Sequence, residues 1–123
     1  LDKPDAPPVE LTERAVKEGK MVNVYGTKVT LELYDHKEID GDIVSINLNG
    51  RWILRNYILT GKPHKLEIEL DPNSSSNYML LYANNLGDIP PNTMAVKIYN
   101  DQISREEVLN SDLHECDIIY FRP

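Results

Sequence analysis

The chain has 123 residues, a formal net charge of -7 and an isoelectric point near 4.9. One hydrophobic core is the rule at this length, so we predict a single folded domain. The acidic balance argues against a nucleic-acid-binding protein, because such proteins display a basic surface. No apolar run approaches the length of a membrane-spanning helix, so we predict no transmembrane segment.

Residues 1–10 are predicted to form an amino-terminal tether that precedes the domain. They include Pro4, Pro7 and Pro8, which cannot donate backbone hydrogen bonds to a sheet, and they offer little apolar surface to bury. We therefore assign residues 11–123 to the domain. Over residues 11–20 Gly19 interrupts a weak helical period, which favours an irregular lead-in over a helix.

From Met21 onward the apolar residues recur with a period of two, which marks strands with one buried face. The alternating apolar positions are Val22 and Val24; Val29, Leu31 and Leu33; Val44, Ile46 and Leu48; and Leu66, Ile68 and Leu70. Further strands are predicted over residues 78–83, 94–99 and 117–121, and near residues 105–109. The pattern predicts an all-β fold, an antiparallel β-sandwich of immunoglobulin-like or jelly-roll-like type, with about eight strands and little helix.

The Asn49-Gly50 pair marks a hairpin between the strand over residues 44–48 and a further strand that follows the turn. A two-residue loop would place Leu48 opposite Arg51, which mixes apolar and charged partners on one face. A three-residue loop with a left-handed Gly50 places Ile46 opposite Trp52 and sorts the faces better. We therefore expect the three-residue loop, with Trp52 in the core.

The first of two polar loops contains Asp35, Asp40 and Asp42, and its glycine permits a tight turn. Clustered carboxylates are the ligands that Ca²⁺ prefers, so these three residues are the candidate metal ligands. Their spacing does not match an EF-hand loop. The alternative is that the carboxylates accept hydrogen bonds from backbone N–H groups of the turn. We expect this capping role first, with no cofactor other than calcium to consider.

The second polar loop spans residues 84–93 and carries Asn84, Asn85 and Asn92. Their amides are candidate ligand-binding groups, because loops held by a rigid scaffold often carry function. They are equally suited to satisfy the backbone of a loop that cannot pair in a sheet. We expect the structural role, and we expect the loop to be ordered and packed on one end of the sandwich.

Aromatic residues in or near the strands are a further candidate surface, since carbohydrate-binding sandwiches stack sugars on such rings. They are Trp52, Tyr57, Tyr78, Tyr82 and Tyr99. Tyr57 follows a charged strand end and is the candidate for exposure and ligand contact. Packing within the sandwich is the alternative for every one of these rings.

No catalytic constellation is recognisable in the sequence, and we predict no enzyme. The three histidines lie far apart, and none falls in a metal-ligand spacing. The single cysteine, Cys116, excludes an intrachain disulfide, and the adjacent Glu115 and Asp117 disfavour its thiolate. We expect a lone thiol on a terminal strand.

Several short motifs occur in an order found in one known domain. They are Leu11-Thr12-Glu13-Arg14, Leu33-Tyr34-Asp35, Asp40-Gly41-Asp42, Val44-Ser45, Leu48-Asn49-Gly50, Ala83-Asn84-Asn85-Leu86-Gly87, Ile89-Pro90-Pro91-Asn92-Thr93 and Ser111-Asp112. Over residues 11–121 the chain resembles an uncharacterised secreted, lipoprotein-associated β-sandwich domain widespread in Bacteroidetes. It departs from that domain at His36 and Lys37, where the domain usually has Asn-Gly after the aspartate.

The resemblance implies an exported protein that is periplasmic, anchored to the outer membrane or extracellular, with an export or lipid-attachment signal removed before Leu1. We therefore expect a noncatalytic interaction or accessory module of the cell envelope, with a protein or glycan partner. The alternative is a carbohydrate-binding module that could depend on calcium, and a third class is a small hydrolase. Two exposed coplanar aromatic rings would favour the second class, and a pocket with a carboxylate pair or a Ser-His pair would favour the third.

Overall fold

The computed structural model describes residues 13–35, 41–75, 77–87 and 90–123. Over these ranges the chain is all-β and forms a sandwich of two sheets, as the alternating pattern predicted. No helix in the described part is long and apolar enough to cross a membrane. The predicted tether, residues 1–10, lies outside the described residues.

Ten strands are present in the described residues, against about eight predicted. They are β1 (Ala15–Val16), β2 (Lys20–Asn23), β3 (Lys28–Asp35), β4 (Ile43–Leu48), β5 (Arg51–Ile58), β6 (His64–Glu69), β7 (Asn77–Ala83), β8 (Asn92–Tyr99), β9 (Ser104–Ser111) and β10 (Glu115–Arg122). The first sheet has the order β1-β10-β7-β4-β5, with β2 also paired to β10. The second sheet has the order β6-β3-β8-β9.

The ladders among these strands are antiparallel, apart from those that β10 forms with β1 and β2, which are parallel. β1 and β2 therefore act as one interrupted edge strand that follows β10 along its length. The segment predicted as an irregular lead-in contains β1, and its described residues, 13–20, include no helix. β4 and β5 form a hairpin within the first sheet, and β8 and β9 form a hairpin within the second sheet.

The core between the sheets is filled by the side chains that alternation places on the inner faces. From β3 it receives Val29, Leu31 and Leu33, and from β4 it receives Val44 and Ile46, all of them buried. Burying such a side chain contributes roughly 1.5–3 kcal/mol. The predicted inward positions of both strands are therefore confirmed.

A second apolar cluster covers the outward face of the first sheet. Tyr78 and Leu80 of β7 lie there beside Cys116, Ile118 and Tyr120 of β10, and all five are buried. Cys116 is a free thiol on the last strand, as predicted. Burial raises the pKa of the Tyr78 and Tyr120 hydroxyls, so both rings stay neutral at physiological pH.

The break between β1 and β2 is set by Gly19, which has a φ of 71°. A Cβ at this position would lie 2.5 Å from Ile118 Cγ2 and 2.6 Å from the Ile118 carbonyl oxygen. The chain can therefore pass this close to β10 only where a residue has no side chain. Gly19 thus lets two short segments share one partner strand.

Replacing Gly19 with alanine tests this contact, and Gly41→Ala is its matched control. Gly41 has a similar φ of 80°, but a Cβ there would meet no described atom within 4 Å beyond its chain neighbours. We expect Gly41→Ala to lose about 1–2 kcal/mol of unfolding free energy through left-handed strain alone. Gly19→Ala should lose about 1–3 kcal/mol more, through overpacking against Ile118. Equal losses in a denaturant melt would contradict the close approach.

The hairpin between β4 and β5 differs from the predicted one. Asn49 and Gly50 have φ values of 52° and 91°, as in a two-residue turn with both central residues left-handed. Leu48 pairs with Arg51, so the expected three-residue loop and the expected pairing of Ile46 with Trp52 are wrong. The positive φ predicted for Gly50 is confirmed.

Strand β5 is irregular beyond the turn, and this irregularity restores the burial of its apolar residues. Trp52 pairs with Asn47, but the preceding residue of β4, Ile46, pairs with Leu54, so Ile53 is an extra residue in β5. Ile53 and Leu54 consequently both pack against the core although they are adjacent. Trp52 lies outside the core, which corrects its predicted position.

On the side of the sandwich between β2 and β9, one inward-pointing carboxylate is paired with two exposed cations. Glu107 of β9 is buried, and its carboxylate accepts hydrogen bonds from Lys20 Nζ at 3.0 Å and Arg105 Nη2 at 2.8 Å. Burial raises the pKa of Glu107, but the two cations outweigh it and the net pKa is lowered. An inward charge at an edge also discourages pairing with a foreign strand.

A lowered pKa predicts how Glu107 acts on stability as the pH changes. Its contribution is fully present above the ordinary glutamate value of 4.5 and is lost as the pH falls through the lower folded-state value. We expect the melting-temperature advantage of the native chain over Glu107→Gln to shrink between pH 7 and pH 3. Glu69→Gln, on an exposed edge strand, serves as the control. A difference that is constant over this range would contradict the ion-pair assignment.

Candidate functional site

The described residues of the two polar loops meet at one end of the sandwich, around the backbone of Ile43. The Ile43 N–H donates to Asn85 Oδ1 at 2.8 Å, and the Ile43 carbonyl accepts from Asn92 Nδ2 at 3.0 Å. Asn85 Nδ2 also donates to the Gly41 carbonyl at 3.0 Å. The side chains of Asn85 and Asn92 therefore bind the start of β4, which is the structural role expected for them.

One carboxylate of the acidic loop, that of Asp42, takes part in the same junction. Asp42 is buried, and its Oδ2 accepts a hydrogen bond from the Thr93 N–H at 3.0 Å. Asp35 is buried at the end of β3, where it pairs with Met94, and Asp40 lies outside the described residues. Within the described ranges no group of three or more His, Cys, Asp or Glu side chains is placed to hold a metal ion.

The amide of Asn85 gives the junction its sharpest test. Asn85→Ala leaves the Ile43 N–H and the Gly41 carbonyl without their partner, so we expect a loss of roughly 1–3 kcal/mol of unfolding free energy. Asn92→Ala should lose a similar amount, because Asn92 is fully buried and donates to two carbonyls. Asn23→Ala, at an exposed position of β2, should be close to neutral. A neutral Asn85→Ala would contradict the junction.

Tyr57 lies on β5 at the side of the sandwich opposite to Glu107. Its ring is half-buried, packs against the core and stacks on His64 of β6, with ring centroids 4.5 Å apart and planes tilted by 35°. Tyr57 and His64 thus close the gap between the edge strands of the two sheets. The predicted exposure of Tyr57 is not what the structure has.

The outward face of the first sheet carries a continuous row of cationic and aromatic side chains, which we call the cation–aromatic row. It consists of Arg55, Trp52, Tyr82 and Arg14. Arg55 Cζ lies 5.5 Å from the Trp52 ring centroid, and the Trp52 and Tyr82 centroids are 5.6 Å apart at an interplanar angle of 83°. Arg14 Cζ lies 3.8 Å above the Tyr82 ring.

The irregular register of β5 is what assembles this row. Residues 52 and 55 would point to opposite faces of a regular strand, because side chains alternate with a period of two. The extra residue at Ile53 reverses the alternation, so Trp52 and Arg55 share the outward face. A bulge that redirects side chains in this way is a common feature beside functional sites.

Asn84 supports the same part of β5 indirectly. Its Oδ1 accepts a hydrogen bond from Ser45 Oγ at 2.7 Å, and Ser45 Oγ accepts one from the Asn56 N–H at 3.0 Å. Asn56 has a φ of 50°, and it lies with Arg55 between the paired residues Leu54 and Tyr57. Asn84 therefore holds the backbone next to Arg55, a role that its sequence context did not indicate.

Arg14 fixes the far end of the row. Its Nη1 donates to the Ala83 carbonyl at 2.7 Å and to the Asp112 carbonyl at 3.1 Å. The guanidinium thereby bridges the end of β7 and the turn between β9 and β10 while it covers the Tyr82 ring. Such a cation–aromatic contact is worth about 0.5–1 kcal/mol at an exposed site.

The electrostatics of this face contrast with those of the chain as a whole. The outward positions of the central strands β4, β7 and β10 in the described residues include no Asp or Glu, although the chain carries a net charge of -7. Arg55 is exposed and makes no ion pair or hydrogen bond within the described part of the chain. The Trp52 indole N–H likewise donates to no described acceptor. Adjacent donors of this kind suit an acceptor that carries negative charge.

Sequence reasoning identified two members of the row, Trp52 and Tyr82, only as aromatic residues near strands. It missed Arg14 and Arg55, which lie 41 positions apart in the sequence and meet only through the first sheet. The one local signal was the neighbouring position of Trp52 and Arg55 on a single predicted strand.

An open groove of about 500 Å³ on the second sheet offers a less specific surface. It is lined by charges of both signs, including Lys28, Glu67 and Glu69. The amide of Asn100, which also lines it, donates to the Val24 carbonyl at 2.6 Å and accepts from the Gln102 N–H at 2.7 Å. The Asn100 amide is therefore occupied by backbone groups of the neighbouring chain.

Comparison with known proteins finds no match to a family model, to a curated protein or to a solved structure.

Proposed function

We propose that the chain is a noncatalytic binding module that contacts its partner through the cation–aromatic row. The observation that carries this proposal is the pairing of Arg55 with Trp52 on the outward face. Both side chains present hydrogen-bond donors that no described residue engages, and both are directed to this face by an irregularity of β5. The proposal assigns the row to recognition and the polar loops to the integrity of the domain.

The composition of the row supports recognition of a partner. Trp, Tyr and Arg are the residues that most often dominate binding energy at protein interfaces, because they bury large areas and retain directed hydrogen bonds. In this chain the three types occur together on a rigid sheet. A sheet also holds its side chains more accurately than a loop would.

The chemistry of the row supports binding in preference to catalysis. A guanidinium and an indole have hydrogen-bond donors and no acceptor, so neither can take up a proton as a general base does. The four side chains therefore supply ring surfaces and donors to a bound partner.

The alternative is recognition of a neutral glycan by stacking on the aromatic rings, and the experiment must distinguish it from recognition through the hydrogen-bond donors of the row. The rings of Trp52 and Tyr82 meet at 83°, so they do not form a coplanar platform. Arg14 also covers one face of Tyr82.

We further propose an exported location in the cell envelope, which the resemblance to the Bacteroidetes domain supports.

The test is a binding panel combined with activity assays. The chain is titrated with peptides, neutral oligosaccharides and uronic-acid oligosaccharides, in millimolar calcium and in excess chelator, and ester, peptide and glycoside substrates are assayed for turnover. We expect saturable binding to one class without turnover, weakened at least tenfold by Trp52→Ala. Tyr99→Ala, an aromatic residue on the second sheet, should leave the affinity unchanged.

Two results would overturn the proposed function. One is saturable turnover that a single substitution abolishes. The other is a panel in which no class binds, or in which Trp52→Ala binds as well as the native chain. Binding that requires calcium would also contradict the assignment to the row, because it would place the binding site at the acidic loop.

A further inference from the structure

We infer that the partner is an extended acidic peptide segment whose carboxylate is received by Arg55 and Trp52. The inference rests on the proposed function and specifies its partner. It follows from three properties: the donors of Arg55 and Trp52 that no described residue engages, the charge of the face around the row, and the dimensions of the row.

The donors come first. Arg55 is exposed, its guanidinium carries five N–H groups in a planar fork, and it lies over the Trp52 ring without a hydrogen bond or ion pair to any described residue. A planar fork matches the two oxygens of a carboxylate, and a ring beneath the guanidinium limits its motion. The Trp52 N–H adds a donor on the same strand. A carboxylate satisfies this set better than a neutral hydroxyl does.

The charge of the face supplies the second argument. The outward positions of β4, β7 and β10 in the described part are apolar or uncharged, except for Arg122 at the end of β10. An acidic ligand that lies along the row therefore meets Arg14 and Arg55 without facing a carboxylate from these strands. Complementary charge of this kind selects the partner and fixes its register.

The dimensions of the row favour a peptide. β5 and β7 are two strand spacings apart, which is about 10 Å, and an extended peptide advances about 3.3 Å per residue. About three to four residues thus span the distance from Arg55 to the neighbourhood of Tyr82 and Arg14. In an extended segment, residues four apart point to the same side, so one acidic residue can address Arg55 while the residue four positions away lies beside Tyr82 and an apolar residue between them meets the rings.

The test uses a fluorescein-labelled peptide of nine residues with glutamate at its third and seventh positions, an apolar residue between them, and a matched peptide with glutamine at both positions. Fluorescence anisotropy measures both affinities at low salt. We expect the glutamate peptide to bind at least tenfold more tightly. Added salt should weaken its binding, since exposed charges are screened.

Variants of the arginines connect this binding to the row. Arg55→Gln should weaken the glutamate peptide at least tenfold, and Arg55→Lys should weaken it less, because the charge remains while the fork is lost. Arg51→Gln is the matched control, since Arg51 is an exposed arginine at the start of the same strand and opposes Leu48. A thermal melt of each variant verifies that it is folded.

The outcomes separate this inference from the proposed function. Equal affinities for the two peptides, or unchanged binding by Arg55→Gln, would overturn the acidic-peptide inference. Binding of a uronic-acid oligosaccharide that depends on Trp52 while the glutamate peptide does not bind would overturn it as well, yet would leave the proposed function standing. Failure of every ligand class would overturn both.

Discussion

The alternation of side chains along a strand is the constraint on which this molecule depends. Each strand that pairs in the sandwich must send every second side chain inward, and β3 and β4 obey this without exception. Strand β5 breaks the rule at Ile53, so that two adjacent apolar residues pack against the core. The same break places Trp52 and Arg55 together on the outside. One extra residue therefore serves both the core and the proposed binding face.

The sandwich was predictable from the sequence because the alternation of apolar and polar residues can be read within each strand. The inner positions of β3 and β4 and the buried thiol on the last strand are where the pattern placed them. The register of the β4–β5 hairpin was not predictable by the same reasoning. That reasoning assumed a regular strand, in which Leu48 opposite Arg51 would have forced charge into the core. The extra residue in β5 removes this conflict, and no local signal marks its position.

The candidate site divides in the same way. Asn85, Asn92 and Asp42 stood out in the sequence because loops rich in such residues satisfy their own backbone. In the structure the two amides bond the backbone of Ile43, and the Asp42 carboxylate accepts from the Thr93 N–H. The cation–aromatic row is a product of the tertiary fold, since Arg14 precedes β1 and reaches Tyr82 only because β1 joins β10. Asn84 supports the row only through Ser45, whose role is not marked by any motif in the sequence.

The parallel pairing of β2 with β10 has a mechanical consequence. In a parallel pair, the amino-terminal end of one strand and the carboxy-terminal end of the other lie at opposite ends of the ladder. Tension applied to the residues before β2 and after β10 therefore pulls the two strands past each other along their length. The register from Lys20 to Asn23 is then loaded in shear, and its hydrogen bonds share the force at the same time. An antiparallel pair pulled from its open end would give way one bond after another. A force that acts through residues on either side of the β2–β10 pair therefore meets the whole ladder at once.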